Sequence, residues 1–399
     1  MDQPPTRPPP GDGAPPVVTP PPGNPRFELL DGLRAIAALF VIALHVSVYT
    51  RYFPGWQGAY IRQLSSGVTI FFLLSGFLLY RPFVAARVTG RDRIRIRDYA
   101  RRRLLRIVPA YWLALTVLAL WPGLPGSPLG HDWWRYYGFV QDFHALSLFG
   151  GLGTAWSLGT EVSFYLVLPF YAIVLERLVF RRSTRWLVAS ELVVLAVLSV
   201  VALAFRAVVS TSRPHLGYTL FGTFDWFALG MALAVINVAI GSSASRTPRI
   251  VRLVERRPWL CWAAAFGAMT VGAAYWEWTH RNDAYSAGPL HLIWGAIAFF
   301  LLLPAVFPGK GGGVPRRVLS TRLLAWLGII SYGIYLWHLP LVPKLGAAIS
   351  DVLGIGATGL PFTVLMYVIL SGVAVACAAT SYYLVERPLL RFKNGFRRP

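Results

Sequence analysis

The feature that most constrains this chain is a succession of ten apolar stretches, at about 29–50, 66–85, 104–122, 154–175, 186–206, 216–240, 259–278, 288–307, 322–343 and 360–385. At 1.5 Å rise per residue, a helix of about 20 such residues crosses the 30 Å or so of bilayer hydrocarbon. The expected fold class is therefore all-α, a polytopic membrane protein with about ten transmembrane helices. Composition agrees. The 399 residues are 55% hydrophobic and 14% charged, and the mean hydropathy is +0.53. Soluble domains carry roughly a quarter charged residues, so a soluble cytosolic enzyme is not expected.

The net charge of +21 would suit a nucleic-acid partner if it were concentrated on one domain. Instead the arginines fall between the apolar stretches. Thirty of the 38 Lys and Arg lie in the N-terminal segment, the even-numbered loops and the C-terminus, and seven lie in the other loops. This alternation follows the positive-inside rule and predicts that both termini are cytoplasmic, in a multi-pass protein of the cell membrane with no nucleic-acid partner. Residues 1–25, with PPTRPPP and TPPPGNP, favour extended polyproline geometry and bury too little apolar surface to fold, so a disordered cytoplasmic tail is expected. Residues 393–399 form a basic cytoplasmic C-terminal tail. No secretory signal peptide is expected, because the first 25 residues contain no apolar core. The aromatic stretch 133–149 reads as an outer loop or as a re-entrant segment. Cys261 and Cys377 sit inside apolar stretches without metal-ligand spacing and are read as buried small hydrophobes.

Four polar elements interrupt this apolar background. The first stretch reads DGLRAIAALFVIALH, with Asp31 and Arg34 near its start and His45 eleven residues after Arg34. Eleven helical residues make three turns, so Arg34 and His45 share one face about 16 Å apart. Ionisable groups at such depth are costly and mark function by default, although a packing histidine and a snorkelling arginine are the plain alternatives. Ten arginines lie between 81 and 106. Arg103 and Arg106 are three apart and face the same way, so with Arg34 they form a candidate donor-binding cluster able to grip phosphate oxygens bidentately. Anchoring on anionic lipid heads is the alternative.

The third element is AWSLGTEVSFYLVLPF, in a stretch entering from outside. Glu161 is expected one to two turns below the outer surface, level with His45, its natural partner. The fourth is SYGIYLWHLP, which places His338 in the outer half with Tyr332 and Tyr335 deeper. These are candidate supporting residues, against ordinary interfacial roles. FFLLSGFLL supplies Ser75 and Gly76, small enough for close helix approach. No HExxH, GxSxG or Walker pattern occurs, so neither a metal site nor an acyl-serine enzyme is expected.

Together DGLR followed by His45, FFLLSGF, RRLLRIVP, WSLGTEVSFY and SYGIYLWHLP resemble the membrane-bound acyltransferase-3 family, in the expected order, from about residue 29 to 392. The resemblance implies an integral-membrane acyltransferase domain over 26–392. It implies an enzyme moving an acyl group, with acetyl the expected one, from acyl-CoA to a hydroxyl of a surface glycan, a lipid or a macrolide-type metabolite. It also implies that Arg34, His45, Arg103 and Arg106 are tied to activity. Acyl-CoA is then a co-substrate and no permanently bound cofactor is expected; nor is the extra periplasmic esterase-like domain of some members. On this reading the donor enters from the cytoplasm with its phosphates on the arginines. His45 acts as general base with Glu161 fixing its tautomer, and Tyr335 or His338 assists the oxyanion. An acyl-histidine intermediate is the rival mechanism. The function of a different class that suits the same features is a transporter or flippase for an anionic or glycolipid solute.

Overall fold

A computed structural model describes residues 27–394 apart from 91–93, 179–183, 243–246, 282–286, 310–312 and 355. The segment 1–25 and most of 393–399 lie outside the described residues. The chain is built of helices α1 (Glu28–Tyr49), α2 (Gly55–Gln63), α3 (Ser66–Thr89), α4 (Ile96–Leu120), α5 (Trp133–Tyr137), α6 (Trp156–Leu178), α7 (Thr184–Ser212) and α8 (Leu220–Ser242). They are followed by α9 (Arg249–Arg256), α10 (Trp259–Arg281), α11 (Ala287–Val306), α12 (Val314–Leu319), α13 (Arg322–Leu353), α14 (Leu360–Ser381) and α15 (Arg387–Leu390). No strand occurs among the described residues. Nine helical segments there are long and apolar enough to span a bilayer. The tenth expected span, α10, has 23 residues. Its tryptophans, glycines and Glu277 make it less apolar, and it does not meet the same measure.

Helix α1 is the central post. It packs along α13 and α3 and also touches α14 and α11. Two hydrophobic clusters share it. One joins its first half to α3, α8 and α11; the other joins its second half to α4, α13, α14 and the segment around 136–158. The α3–α8 contact depends on two glycines. A Cβ on Gly76 would run into the Phe227 carbonyl oxygen, and one on Gly230 into that of Leu73. The closeness that the small residues of FFLLSGFLL foretold is thus met from both sides. At the periphery, only 11% of an 18-residue stretch within Thr184–Val209 is buried, which fits a face turned to lipid.

The aromatic stretch after α4 is not a plain outer loop. Tyr111 Oη donates to the Tyr136 carbonyl and Trp112 Nε1 to that of Tyr137, which ties α5 alongside α4. The chain then turns into the bundle. Gln141, Asp142 and Leu152 are fully buried. Thr154 hydrogen-bonds through its side chain and its carbonyl to Tyr335, near the middle of α13. Of the two sequence readings, the re-entrant one describes this packing. Helix α6 consequently begins well inside the bundle.

Candidate active site

The depth at which α6 begins determines what Glu161 meets. Ser157, in its first turn, shares a hydrogen bond of 2.8 Å with Tyr335 Oη. Tyr335 lies one turn from His338, and Glu161 lies one turn beyond Ser157. Glu161 therefore sits about two turns from the His45 level, on the arginine side. Its partners are Ser75 Oγ, donating to Oε1 at 2.9 Å, and Tyr165 Oη, donating to Oε2 at 2.7 Å. The expected His45–Glu161 pair does not form. The sequence reading counted α6 from the outer surface, whereas the inward-folded segment starts it near the middle of the bundle.

Glu161 lines a narrow chamber of about 70 Å³ with Arg34, Arg103, Arg106, Ser75, Tyr165, Tyr332 and Tyr335. The three arginines of the sequence reading thus converge, although they come from different helices. Arg34 is held 3.6 Å from Asp31, one turn earlier on α1. Among the described residues neither Arg103 nor Arg106 donates a hydrogen bond or lies in an ion pair, and Arg103 Nε is buried without an acceptor. Tyr332 Oη donates to the Ile107 carbonyl, which ties α13 to α4 beside the arginines. Tyr165 was missed from the sequence. Its signal was the i,i+4 spacing from Glu161, which puts both side chains on one helical face.

His45 belongs to a second space. It lines a cavity of about 480 Å³ whose walls include Trp156, Tyr218, Trp226, Trp294 and Arg206. Val68 and Tyr335 border both spaces and form the partition between them. The His45 ring is held by His338, with Nδ1 and Nε2 2.9 Å apart. The tautomers follow from the partners. His338 Nδ1 faces two carbonyl oxygens, of Tyr335 at 2.9 Å and Ile334 at 3.2 Å. A carbonyl only accepts, so this nitrogen carries the proton and His338 Nε2 is the acceptor. His45 Nδ1 must therefore donate, leaving its Nε2 as an unprotonated lone pair, the form a base or nucleophile requires.

This arrangement reassigns the supporting residues. His338 is fully buried with both nitrogens engaged, and Tyr335 Oη is engaged by Ser157 and the Thr154 carbonyl. Neither has a donor to spare for an oxyanion, contrary to the sequence expectation. His338, and not Glu161, is the residue hydrogen-bonded to His45. Among the described residues no group of three or more His, Cys, Asp or Glu could hold a metal ion.

On α1, His45 thus stands three turns from Arg34, which shares its chamber with Arg103, Arg106 and the carboxylate of Glu161. The chain matches the acyltransferase domain family (acyltransferase-3) over residues 27–383 and belongs to it. Among curated proteins it is similar to YrhL of Bacillus subtilis (strain 168), assigned by name to the peptidoglycan O-acetyltransferases, with 29% identity over 92% of this chain and 55% of the relative. It is 26% identical to the peptidoglycan O-acetyltransferase OatA of Listeria monocytogenes, over 78% of this chain and 49% of the relative. It is 23% identical to the O-acetyltransferase OatA of Staphylococcus aureus, over 92% and 57%. The chain thus spans about half the length of these relatives. No solved structure matches it.

Proposed function

We propose that the protein is a membrane O-acyltransferase that takes an acetyl group from acetyl-CoA on the arginine side and delivers it to a glycan hydroxyl in the His45 cavity. The observation that carries this reading is the pairing of Arg103 and Arg106, which make no hydrogen bond or close ion pair among the described residues, with a histidine held as a base. Buried or half-buried guanidiniums whose donors are unmet are costly, and a ligand bearing phosphates would supply the missing acceptors. The rise of α1 puts about 16 Å between Arg34 and His45, a span comparable to the pantetheine arm that separates the nucleotide phosphates of CoA from its thioester. The chamber is narrow, so entry of that arm requires lining side chains such as Phe71 and Tyr165 to move.

In the reaction, His45 Nε2 accepts the proton of the acceptor hydroxyl as its oxygen attacks the thioester carbonyl. The C–S bond then breaks, the proton passes to the leaving sulfur, and free CoA and an ester result. His338 keeps Nδ1 of His45 bonded and stabilises the transient imidazolium. Glu161, with its oxygens on Ser75 and Tyr165, offsets the arginines and keeps the chamber polar. For the acceptor, the names of the relatives point to peptidoglycan. The indole walls of the His45 cavity suit the apolar faces of a sugar ring. The test is incorporation of labelled acetyl from acetyl-CoA into cell-wall glycan by membranes containing the full chain. Incorporation lost in His45→Gln is expected; incorporation unchanged in that variant, or no use of acetyl-CoA at all, would overturn the reading.

A further inference from the structure

Away from this site, the short helix α9 carries a pattern that group transfer does not use. Its sequence, RIVRLVER, places Arg249, Arg252 and Arg256 at i, i+3 and i+7, a basic stripe. Val251 and Val254 are buried in the core, while Ile250 and Leu253 are 66% and 43% exposed. The helix is held firmly. Arg316 of α12, 7% exposed, donates to the carbonyls of Glu255, Val254 and Phe307, which closes the ends of α9 and α11 together. Beside it, a cavity of about 310 Å³ opens between α8, α10 and α11. Its lining is apolar, with Leu233, Cys261, Phe299 and Phe307 among its walls, except for Arg257 at the end of α9. The side chains of Arg249, Arg252, Arg256 and Arg257 make no hydrogen bond or ion pair among the described residues. Glu255 is the acidic residue of the helix.

An apolar slot with the Arg257 guanidinium at its rim, and a basic stripe on the adjoining face of the same short helix, matches a molecule with a hydrocarbon chain joined directly to an anion. Acyl-CoA fits less well, because the pantetheine arm separates its acyl chain from its phosphates. We infer that α9 and this cavity form a binding site for an anionic membrane phospholipid, with one acyl chain in the slot and the phosphate on Arg257 and the neighbouring stripe. The segment belongs to the arginine-rich loops, the side on which anionic lipid heads attract basic residues. The site is separate from the chamber of Arg103 and Arg106 and does not depend on the proposed reaction.

Native mass spectrometry of the full chain released from nanodiscs of mixed phosphatidylglycerol and phosphatidylcholine tests this directly. Retained phosphatidylglycerol adducts should exceed phosphatidylcholine adducts, and Arg257→Gln with Arg252→Gln should lower that ratio by about fivefold per arginine. Ala264→Trp, which fills the slot, should reduce adducts of both lipids. Arg317→Gln, which removes an exposed basic residue of α12, should leave the ratio unchanged. A ratio unaffected by the α9 substitutions, or lowered equally by Arg317→Gln, would reduce α9 to a diffuse surface anchor and overturn the site. Displacement of the lipid by added acetyl-CoA would assign the slot to the donor and overturn it equally.

Discussion

At the scale of single residues, the proposed chemistry rests on which atom of His45 is free. With Nδ1 committed to His338, glutamine at position 45 can fill the space and hydrogen-bond but cannot take a proton at neutral pH. His45→Gln is expected to lower kcat by 10²–10⁴-fold, the usual contribution of a positioned base, with donor binding retained. In the proposed reaction His338 acts through His45, so its variants should lower kcat and spare the KM for acetyl-CoA. His338→Gln, whose amide oxygen can still accept from His45 Nδ1, should keep more activity than His338→Leu; equal losses in the two would leave His338 a packing residue. For the arginines the expectation is reversed. Arg103→Ala or Arg106→Ala should raise the KM for acetyl-CoA by about tenfold or more, since each charge-assisted hydrogen bond contributes roughly 1.5–3 kcal/mol. Lysine should rescue only in part, because a point charge does not reproduce the planar fork. Steady-state kinetics with both substrates varied separates these outcomes.

At the scale of elements, two features set the frame. The α3–α8 crossing has a backbone carbonyl on each side where a Cβ would go. Gly76→Ala or Gly230→Ala should destabilise the protein by about 1–3 kcal/mol, the range for overpacking a filled contact, seen as a lower melting temperature in detergent. The inward-folded segment before α6 carries Asp142, which is fully buried. Loss of solvation pushes its carboxyl up from 3.8 to about 7. A raised acid holds its proton more tightly folded than unfolded, so its full contribution is present below about pH 4 and is lost as pH rises to about 7. Above that the buried charge costs roughly 4 kcal/mol. Asp142→Asn should therefore flatten the fall in stability over this window and raise the melting temperature at pH 8. An unchanged slope would show that Asp142 is not the group responsible.

At the scale of the whole molecule, Val68 and Tyr335 border both spaces. If the alternation of arginines sets the orientation, the His45 cavity opens outward and α9 lies in the cytoplasm. In a chain without Cys261 and Cys377, an impermeant thiol reagent should label Phe149→Cys in intact cells and should label Arg257→Cys only after the cells are opened. The reverse pattern would invert the molecule and with it the side from which the donor enters.

The sequence by itself determined the helical class, most of the spans, the arginine cluster and the His45 face of α1. All of these follow from local hydropathy, charge order and the 3.6-residue period. The α10 helix was legible as a helix but less so as a span, because hydropathy weighs its tryptophans and glycines against it. Only the tertiary structure decided the pairings. Ser75 meets Glu161 across 86 residues, and His45 meets His338 across 293. Composition along a single helix carries no record of which neighbour it faces. The depth of Glu161 was hidden for the same reason. It depends on how far the segment 138–155 folds inward before α6 begins, which is set by the hydrogen bonds that join Thr154 and Ser157 with Tyr335, 181 and 178 positions further along the chain.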